Sequence, residues 1–215
     1  IAAYNAAKRF DEASALGNQL LADPSIGPDD LARALAAQLK GMTYSRKLDD
    51  AEALIARIEP AVAATTDSEL RTDLYHQLGI VRTLQTRFAD AEAAFARAIE
   101  LAGQPPRERH VTLYRTLGGA YAQHGRYPEA LQALHKADDL RRTLGLPDNL
   151  ALLKNLGAVH MDMQDWPRAI DYLERAERVL HAPGSQETPA GMISLYSNLA
   201  GAYIGAKRPA DAHRW

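Results

Sequence analysis

The sequence has 215 residues, of which 47% are hydrophobic and 24% are charged, a composition typical of a folded chain and not of a disordered one. Its formal net charge of −2 lacks the basic excess that a general binder of nucleic acid or of anionic membranes needs. Cysteine is absent, which excludes disulfides, thiolate metal sites and cysteine nucleophiles. The compartment stays open, with the cytoplasm weakly favoured over the periplasm.

One short pattern recurs from end to end: a bulky or aromatic residue, an acidic or proline-containing turn, and then an alanine. Successive alanines are 38 to 43 residues apart, and they are Ala13, Ala51, Ala91, Ala130, Ala169 and Ala212. We therefore predict one domain of five to six helical hairpins, over approximately residues 1–26, 27–66, 67–105, 106–146, 147–186 and 187–215. Because the chain starts at Ile1 inside a first helix and stops at Trp215 inside a second, we expect both ends to continue in a longer protein.

The breaks between hairpins can be read from turn-forming residues, at 22–25, 65–68, 102–106, 145–148 and 181–189. Asp67 or Ser68 is expected to cap a helix, and Pro128 and Pro167 stand where prolines are tolerated, just inside a helix start. No stretch alternates convincingly between apolar and polar residues, so we expect no sheet.

A second landmark lies upstream of four of the turns. A leucine followed by a small residue occurs 13 positions before the alanine, as Leu78-Gly79, Leu117-Gly118, Leu156-Gly157 and Leu199-Ala200. Residues three before and four after this leucine share its helix face and are mostly aromatic. The small residue is predicted to let the neighbouring helix approach closely.

These landmarks resemble the tetratricopeptide repeat (TPR) family over essentially the whole chain. The period is longer than the ~34 residues of the standard repeat and is similar to that of kinesin light chains and of bacterial regulators with TPR sensor regions. The resemblance implies an all-α, right-handed superhelical solenoid of antiparallel helix pairs. It also implies a protein- or peptide-binding scaffold that uses a concave groove.

Residues that could carry catalysis are scattered. The histidines form no pair at metal-binding spacing with a third ligand, and His160 stands where other repeats have tyrosine, which favours a core or groove role. Acidic pairs such as Asp49-Asp50 and Asp138-Asp139 fall at turns or on presumed solvated helix faces. We predict no enzyme, no catalytic residues, no cofactor and no metal site.

The candidate binding residues precede the signature leucine. Four uncharged side chains that can form hydrogen bonds occupy that position, and they are Gln77, Thr116, Asn155 and Asn198. Gln38 could extend this row. Asn155-Leu156-Gly157 and Asn198-Leu199-Ala200 match a kinesin-light-chain motif whose asparagine holds the main chain of an extended peptide. Arg115 and Lys154 lie beside the row and would make the groove mildly basic. For the uncharged row itself, the alternative is that its side chains cap or bridge neighbouring helices.

The sequence thus predicts a groove-binding scaffold for a protein or peptide, without nucleic-acid or membrane partners. An alternative is a sensory or regulatory arm of a multidomain bacterial signalling protein, such as a transcription regulator, a kinase or a cyclic-nucleotide synthase. Self-association through open ends is a third option.

Overall fold

The computed structural model describes residues 10–46, 48, 51–183 and 189–212. These residues form helices and turns without a strand, which confirms the all-α prediction. Twelve helices lie within them: α1 Phe10–Ala22, α2 Pro28–Ser45, α3 Ala51–Ile55, α4 Ile58–Ala64, α5 Ser68–Leu84, α6 Phe88–Leu101, α7 Glu108–Gln123, α8 Tyr127–Thr143, α9 Leu150–Asp162, α10 Trp166–Leu180, α11 Pro189–Gly205 and α12 Pro209–Ala212. Among them none is long and apolar enough to cross a membrane.

The chain divides into two compact units, Ile1–Pro106 and Arg107–Trp215. In unit 1, α5 pairs with α6, and α2 packs against both α1 and α5. In unit 2, three consecutive pairs form, α7 with α8, α9 with α10, and α11 with α12. Within that unit α9 also contacts α7 and α11, so the first helices of successive hairpins are neighbours. The predicted grouping of all the hairpins into one solenoid stays a prediction.

The expected helix starts are confirmed. The Asp67 side chain accepts hydrogen bonds from the backbone N–H groups of Glu69 and Leu70, which satisfies two donors that the first turn of α5 leaves unpaired. Pro128 and Pro167 are the second residues of α8 and α10, within the first turn, where a backbone N–H has no partner inside the helix.

The small residue after the signature leucine sits where two helices of a hairpin touch, as predicted. A Cβ atom built on Gly118 would lie 2.6 Å from Cγ of Leu134, and one on Gly157 would lie 2.6 Å from Cγ of Leu173. Both leucines are fully buried. Only glycine therefore allows the two helices to approach this closely.

The turn between the two helices of a hairpin has the same backbone geometry at five places. One residue adopts a left-handed conformation, with φ between 55° and 71°, at Arg46, Thr86, Gly125, Gln164 and Lys207. In four of these turns the next N–H donates to the carbonyl of the residue five positions earlier, for example from Arg87 to Arg82 at 2.9 Å. This bond is the signature of a Schellman helix terminus.

The second hairpin departs from the pattern. Its second helix is split into α3 and α4 by a turn at Ala56 and Arg57. Pro60 lies in the first turn of α4, where its ring cannot donate a hydrogen bond back to residue 56, so one continuous helix cannot form there. Asp49 and Asp50, one of the acidic pairs noted in the sequence, lie outside the described residues.

Successive hairpins within each unit are also joined by tyrosine–carboxylate hydrogen bonds. The Tyr75 hydroxyl on α5 donates to Glu59 on α4, and the Tyr203 hydroxyl on α11 donates to Glu174 on α10. Burial, together with the adjacent carboxylate, raises the pKa of each of these two phenols to about 12.

A buried ion cluster fixes the loop between α8 and α9. Arg141 Nε donates to Asp138 Oδ1 at 3.0 Å, and its Nη1 donates to the Leu146 carbonyl at 2.7 Å. Its Nη2 lies 3.0 Å from Asp148 Oδ1. Arg141 and Asp138 are both buried, so the cluster replaces the hydration that these charges lose on folding.

Candidate functional site

The candidate site in unit 2 is a row of polar side chains on the first helices of its three hairpins. We call Thr116 on α7, Asn155 on α9 and Asn198 on α11 the polar row. All three side chains are half-buried. Because α9 contacts both α7 and α11, the three positions lie on neighbouring helices.

The two asparagines make no hydrogen bond with any described residue. Their amide atoms are not buried, so both a donor and an acceptor on each side chain reach solvent. Neither asparagine therefore caps a helix or bridges two helices within the part of the chain that the structure describes. Both amides are therefore able to form hydrogen bonds with another molecule.

Thr116 behaves differently. Its hydroxyl donates to the Thr112 carbonyl one turn earlier in α7, at 2.9 Å. Such a bond back to its own helix is common for threonine and uses the only donor that the hydroxyl has. Thr116 is thus a weaker candidate than the two asparagines.

Lys154 has a bridging role that the sequence did not indicate. Its Nζ donates to the Gly191 carbonyl in the first turn of α11, at 2.9 Å. The bond joins α9 to α11, the first helices of successive hairpins. For Lys154 the geometry therefore favours a contact between helices over a ligand contact.

Arg115 is the cation of the site that has no partner among the described residues. Its side chain is half-buried on α7, and no carboxylate of the described chain pairs with it. Burial lowers its pKa, because the guanidinium loses hydration without gaining a counter-charge. A carboxylate brought to this position would therefore be attracted.

Gly119 was not singled out as a site residue, yet it forms part of the surface beside Asn155. A Cβ atom built on Gly119 would lie 3.5 Å from Asn155 Nδ2, an ordinary van der Waals distance. Gly119 lies one helical turn after Arg115, so the two residues share one face of α7. The sequence did contain a signal for Gly119. Helix packing explains Gly118 but not a second glycine directly after it.

The candidates in unit 1 are separate from this row. Gln77 on α5 is half-buried, but its Oε1 is fully buried and has no hydrogen-bond partner within the described chain. A ligand could reach only the amide nitrogen. Gln38 is buried and its Nε2 donates to Asn18 Oδ1 at 3.1 Å, which places it between α1 and α2 as a bridging residue.

The other notable histidine is internal. His160 is 4% exposed and stacks on Tyr172 with the ring centroids 5.5 Å apart. Burial lowers its pKa, although nearby Asp165 acts in the opposite direction. The prediction of a core or groove histidine is therefore resolved in favour of the core. Among the described residues no group of three or more His, Cys, Asp or Glu side chains is arranged to hold a metal.

Comparison with known proteins identifies repeat models in both units. Two family models described as tetratricopeptide repeat match residues 70–143 and 152–187. No curated protein has a significantly similar sequence.

Solved structures of low sequence identity share the fold. BtubC (BKLC) from P. vanneervenii is 18% identical, with a TM-score of 0.72 over 96% of this chain and 85% of that one. A putative kinesin light chain from Podosopora anserina with nearly identical TPR-like repeats is 20% identical, with a TM-score of 0.65 over 87% and 92%. The APC/C hetero-tetramer Cut9–Hcn1 contains a chain that is 17% identical, with a TM-score of 0.64 over 98% of this chain and 37% of that one.

Proposed function

Because the chain belongs to the tetratricopeptide repeat family, whose repeats serve as protein-interaction scaffolds, we propose that unit 2 binds an extended peptide segment of a partner protein. In this proposal Asn155 and Asn198 hydrogen-bond to the main chain of the peptide. The observation that carries the proposal is that both amides reach solvent without any hydrogen bond to the described protein.

An extended peptide has the matching chemistry. Its main chain presents unpaired N–H and C=O groups, and a side-chain amide can donate to one and accept from the other. Two such amides on neighbouring helices hold the backbone with little demand on the peptide sequence. The adjacent Gly119 keeps the surface beside Asn155 free of a side chain, so a backbone can approach.

Arg115 gives the site a charge preference. It is half-buried and lacks a counter-charge within the described residues, so a carboxylate on the peptide would restore the interactions that burial removed. Lys154 contributes less to this preference because its ammonium already donates to Gly191. We therefore expect bound peptides to carry an acidic residue near Arg115.

The test begins with peptides selected on the wild-type chain from a random displayed library. Their affinities are then measured by calorimetry for the wild type and for the double variant Asn155→Ala/Asn198→Ala. A hydrogen bond contributes about 0.5–1.5 kcal/mol, so loss of one bond at each site should weaken binding by ~5- to 150-fold. The free energy of unfolding should hardly change, because neither amide has an internal partner.

A matched control is Gln132→Ala, which removes an exposed amide from α8, the second helix of its hairpin. It should leave both the affinity and the stability unchanged. An unchanged affinity in the double variant would overturn the proposal. So would a large loss of stability, which would show that the asparagines hold the helices together. The regulatory-arm alternative stays a prediction.

A further inference from the structure

The junction between the α9–α10 hairpin and the α11–α12 hairpin contains a tyrosine–carboxylate bond. Tyr203 on α11 donates its hydroxyl to Glu174 on α10. Tyr203 stands four residues after the signature leucine of its repeat, and Glu174 stands five residues after the alanine that marks the turn of the preceding repeat. These two register positions therefore face each other where one hairpin packs against the next.

Histidines occupy both of these positions at the junction one repeat earlier, between the α7–α8 and α9–α10 hairpins. His160 on α9 replaces the tyrosine, and His135 on α8 replaces the carboxylate. The charge that His135 can carry acts on His160, which agrees with the same facing arrangement. This junction therefore cannot form the tyrosine–carboxylate bond of the next one, and two titratable rings stand in its place.

The surroundings of His160 disfavour a proton on its ring while the junction is closed. The side chain is buried, and neither ring nitrogen forms a hydrogen bond with any described residue. Asp165 Oδ2, 3.2 Å from Nδ1, favours the protonated ring, whereas the cations Arg168 and His135 oppose it. Burial raises the pKa of Tyr172, on which the ring stacks, so this neighbour stays uncharged. Burial and the two cations outweigh the single carboxylate, and the pKa of His160 is lowered.

We propose that the His135–His160 pair makes this junction pH-sensitive, so that acid opens the contact between α8 and α9 while the contact between α10 and α11 stays closed. Opening lets water reach His160, which then takes up a proton as a solvated histidine does. Because the open state binds this proton with a pKa of about 6.5, the opening constant rises by up to about tenfold from pH 7.5 to pH 5.5. Arg115 and Asn155 lie on the two hairpins that separate, so opening would also divide the polar site. The opening itself does not depend on peptide binding.

Because the chain has no cysteine, a single engineered thiol can report on each junction. Leu156→Cys places the thiol in the cluster that joins α8 to α9, and Leu199→Cys places it at the same register in the cluster that joins α10 to α11. Both leucines are fully buried, so each thiol reacts with a soluble disulfide reagent only while its junction is open. The intrinsic pH dependence of the thiol reaction cancels in the ratio of the two rates. We expect the ratio of the Leu156→Cys rate to the Leu199→Cys rate to rise by up to about tenfold from pH 7.5 to pH 5.5.

The next junction supplies the matched controls. His135→Glu/His160→Tyr installs the tyrosine–carboxylate pair at the sensitive junction and should abolish the rise in the ratio. Glu174→His/Tyr203→His should instead make the Leu199→Cys thiol respond to acid.

Amide hydrogen exchange on the unsubstituted chain repeats the comparison without a thiol, so the test does not depend on the folding of the cysteine variants. Protection factors at pH 5.5 should fall in α8 and α9 and not in α11, and circular dichroism should show a folded chain at both pH values. A ratio and protection factors that do not change with pH would rule the proposal out. A rise that survives in His135→Glu/His160→Tyr would do the same, because the two histidines would then not be its cause.

Discussion

Two adjacent glycines in α7 should respond in opposite directions to the same substitution. A Cβ atom at Gly118 would lie 2.6 Å from Cγ and 2.8 Å from Cδ2 of Leu134, and 3.1 Å from the Ala130 carbonyl oxygen. At Gly119 the nearest heavy atom, Asn155 Nδ2, would be 3.5 Å away. Both residues are interior to the same helix, so the gain in helix propensity from alanine is equal, about 0.5–1 kcal/mol.

The packing terms therefore decide the sign. Leu134 is fully buried and cannot move aside freely, so Gly118→Ala forces overpacking that costs about 1–3 kcal/mol. After the propensity gain we expect a net loss of up to ~2.5 kcal/mol. Gly119→Ala meets only van der Waals contact and should stabilise the protein by about 0.5–1 kcal/mol.

Thermal and urea denaturation of the two variants and the wild type would measure the difference. For a chain of this length 1 kcal/mol shifts the melting temperature by roughly 2–4 °C. Gly118→Ala should therefore melt below the wild type and Gly119→Ala slightly above it. If both variants melted together, on either side of the wild type, the close approach at Gly118 would not be the constraint that the geometry indicates.

Three further predictions concern the turn, the ion cluster and the buried histidine. Thr86→Gly should stabilise the chain by about 1 kcal/mol in denaturation experiments, because the β-branched threonine has φ 60° and glycine adopts that conformation without strain; a less stable variant would refute this. Arg141→Leu should cost about 1.5–3 kcal/mol because buried Asp138 loses one of its two arginine partners and keeps only Arg142, and a loss below ~1 kcal/mol by urea unfolding would contradict the role of the cluster. His160 has a pKa below its unfolded value near 6.5, so the unfolded chain binds more protons below that pH and stability falls as the pH is lowered. His160→Tyr should lose less stability than the wild type between pH 7.5 and 5.5, and equal losses would disprove the assignment.

The hairpin architecture could be predicted because its causes are local and repeated. The spacing of small residues indicated where helices touch, and Gly118 and Gly157 do contact Leu134 and Leu173. Residue type and position predicted that Asp67 or Ser68 caps a helix, and the structure shows that the cap is Asp67. These features depend on one or two residues in a fixed register, which a sequence displays directly.

Other features depend on details that the sequence does not display. The left-handed turn residue is glycine only at Gly125, so at Thr86 and Gln164 the sequence carries no signal for it. The Lys154 bond joins residues 37 positions apart and depends on how two hairpins pack. For the same reason the sequence predicts Asn155 and Lys154 alike as binding residues. In the structure the Asn155 amide reaches solvent, whereas the Lys154 ammonium already donates to Gly191.

The uniform turn has a consequence for how such a chain can change its length. The backbone path and the five-residue return bond are the same whether the turn residue is threonine, glycine, glutamine or lysine. A genetic duplication or deletion with both end points in these turns would join two helices through an unchanged geometry. The packing contact between the two helices would also be kept. In three hairpins the residue 16 positions after the glycine faces it, namely Phe95, Leu134 or Leu173. Gain and loss of whole units is thus tolerated by the local structure at these junctions.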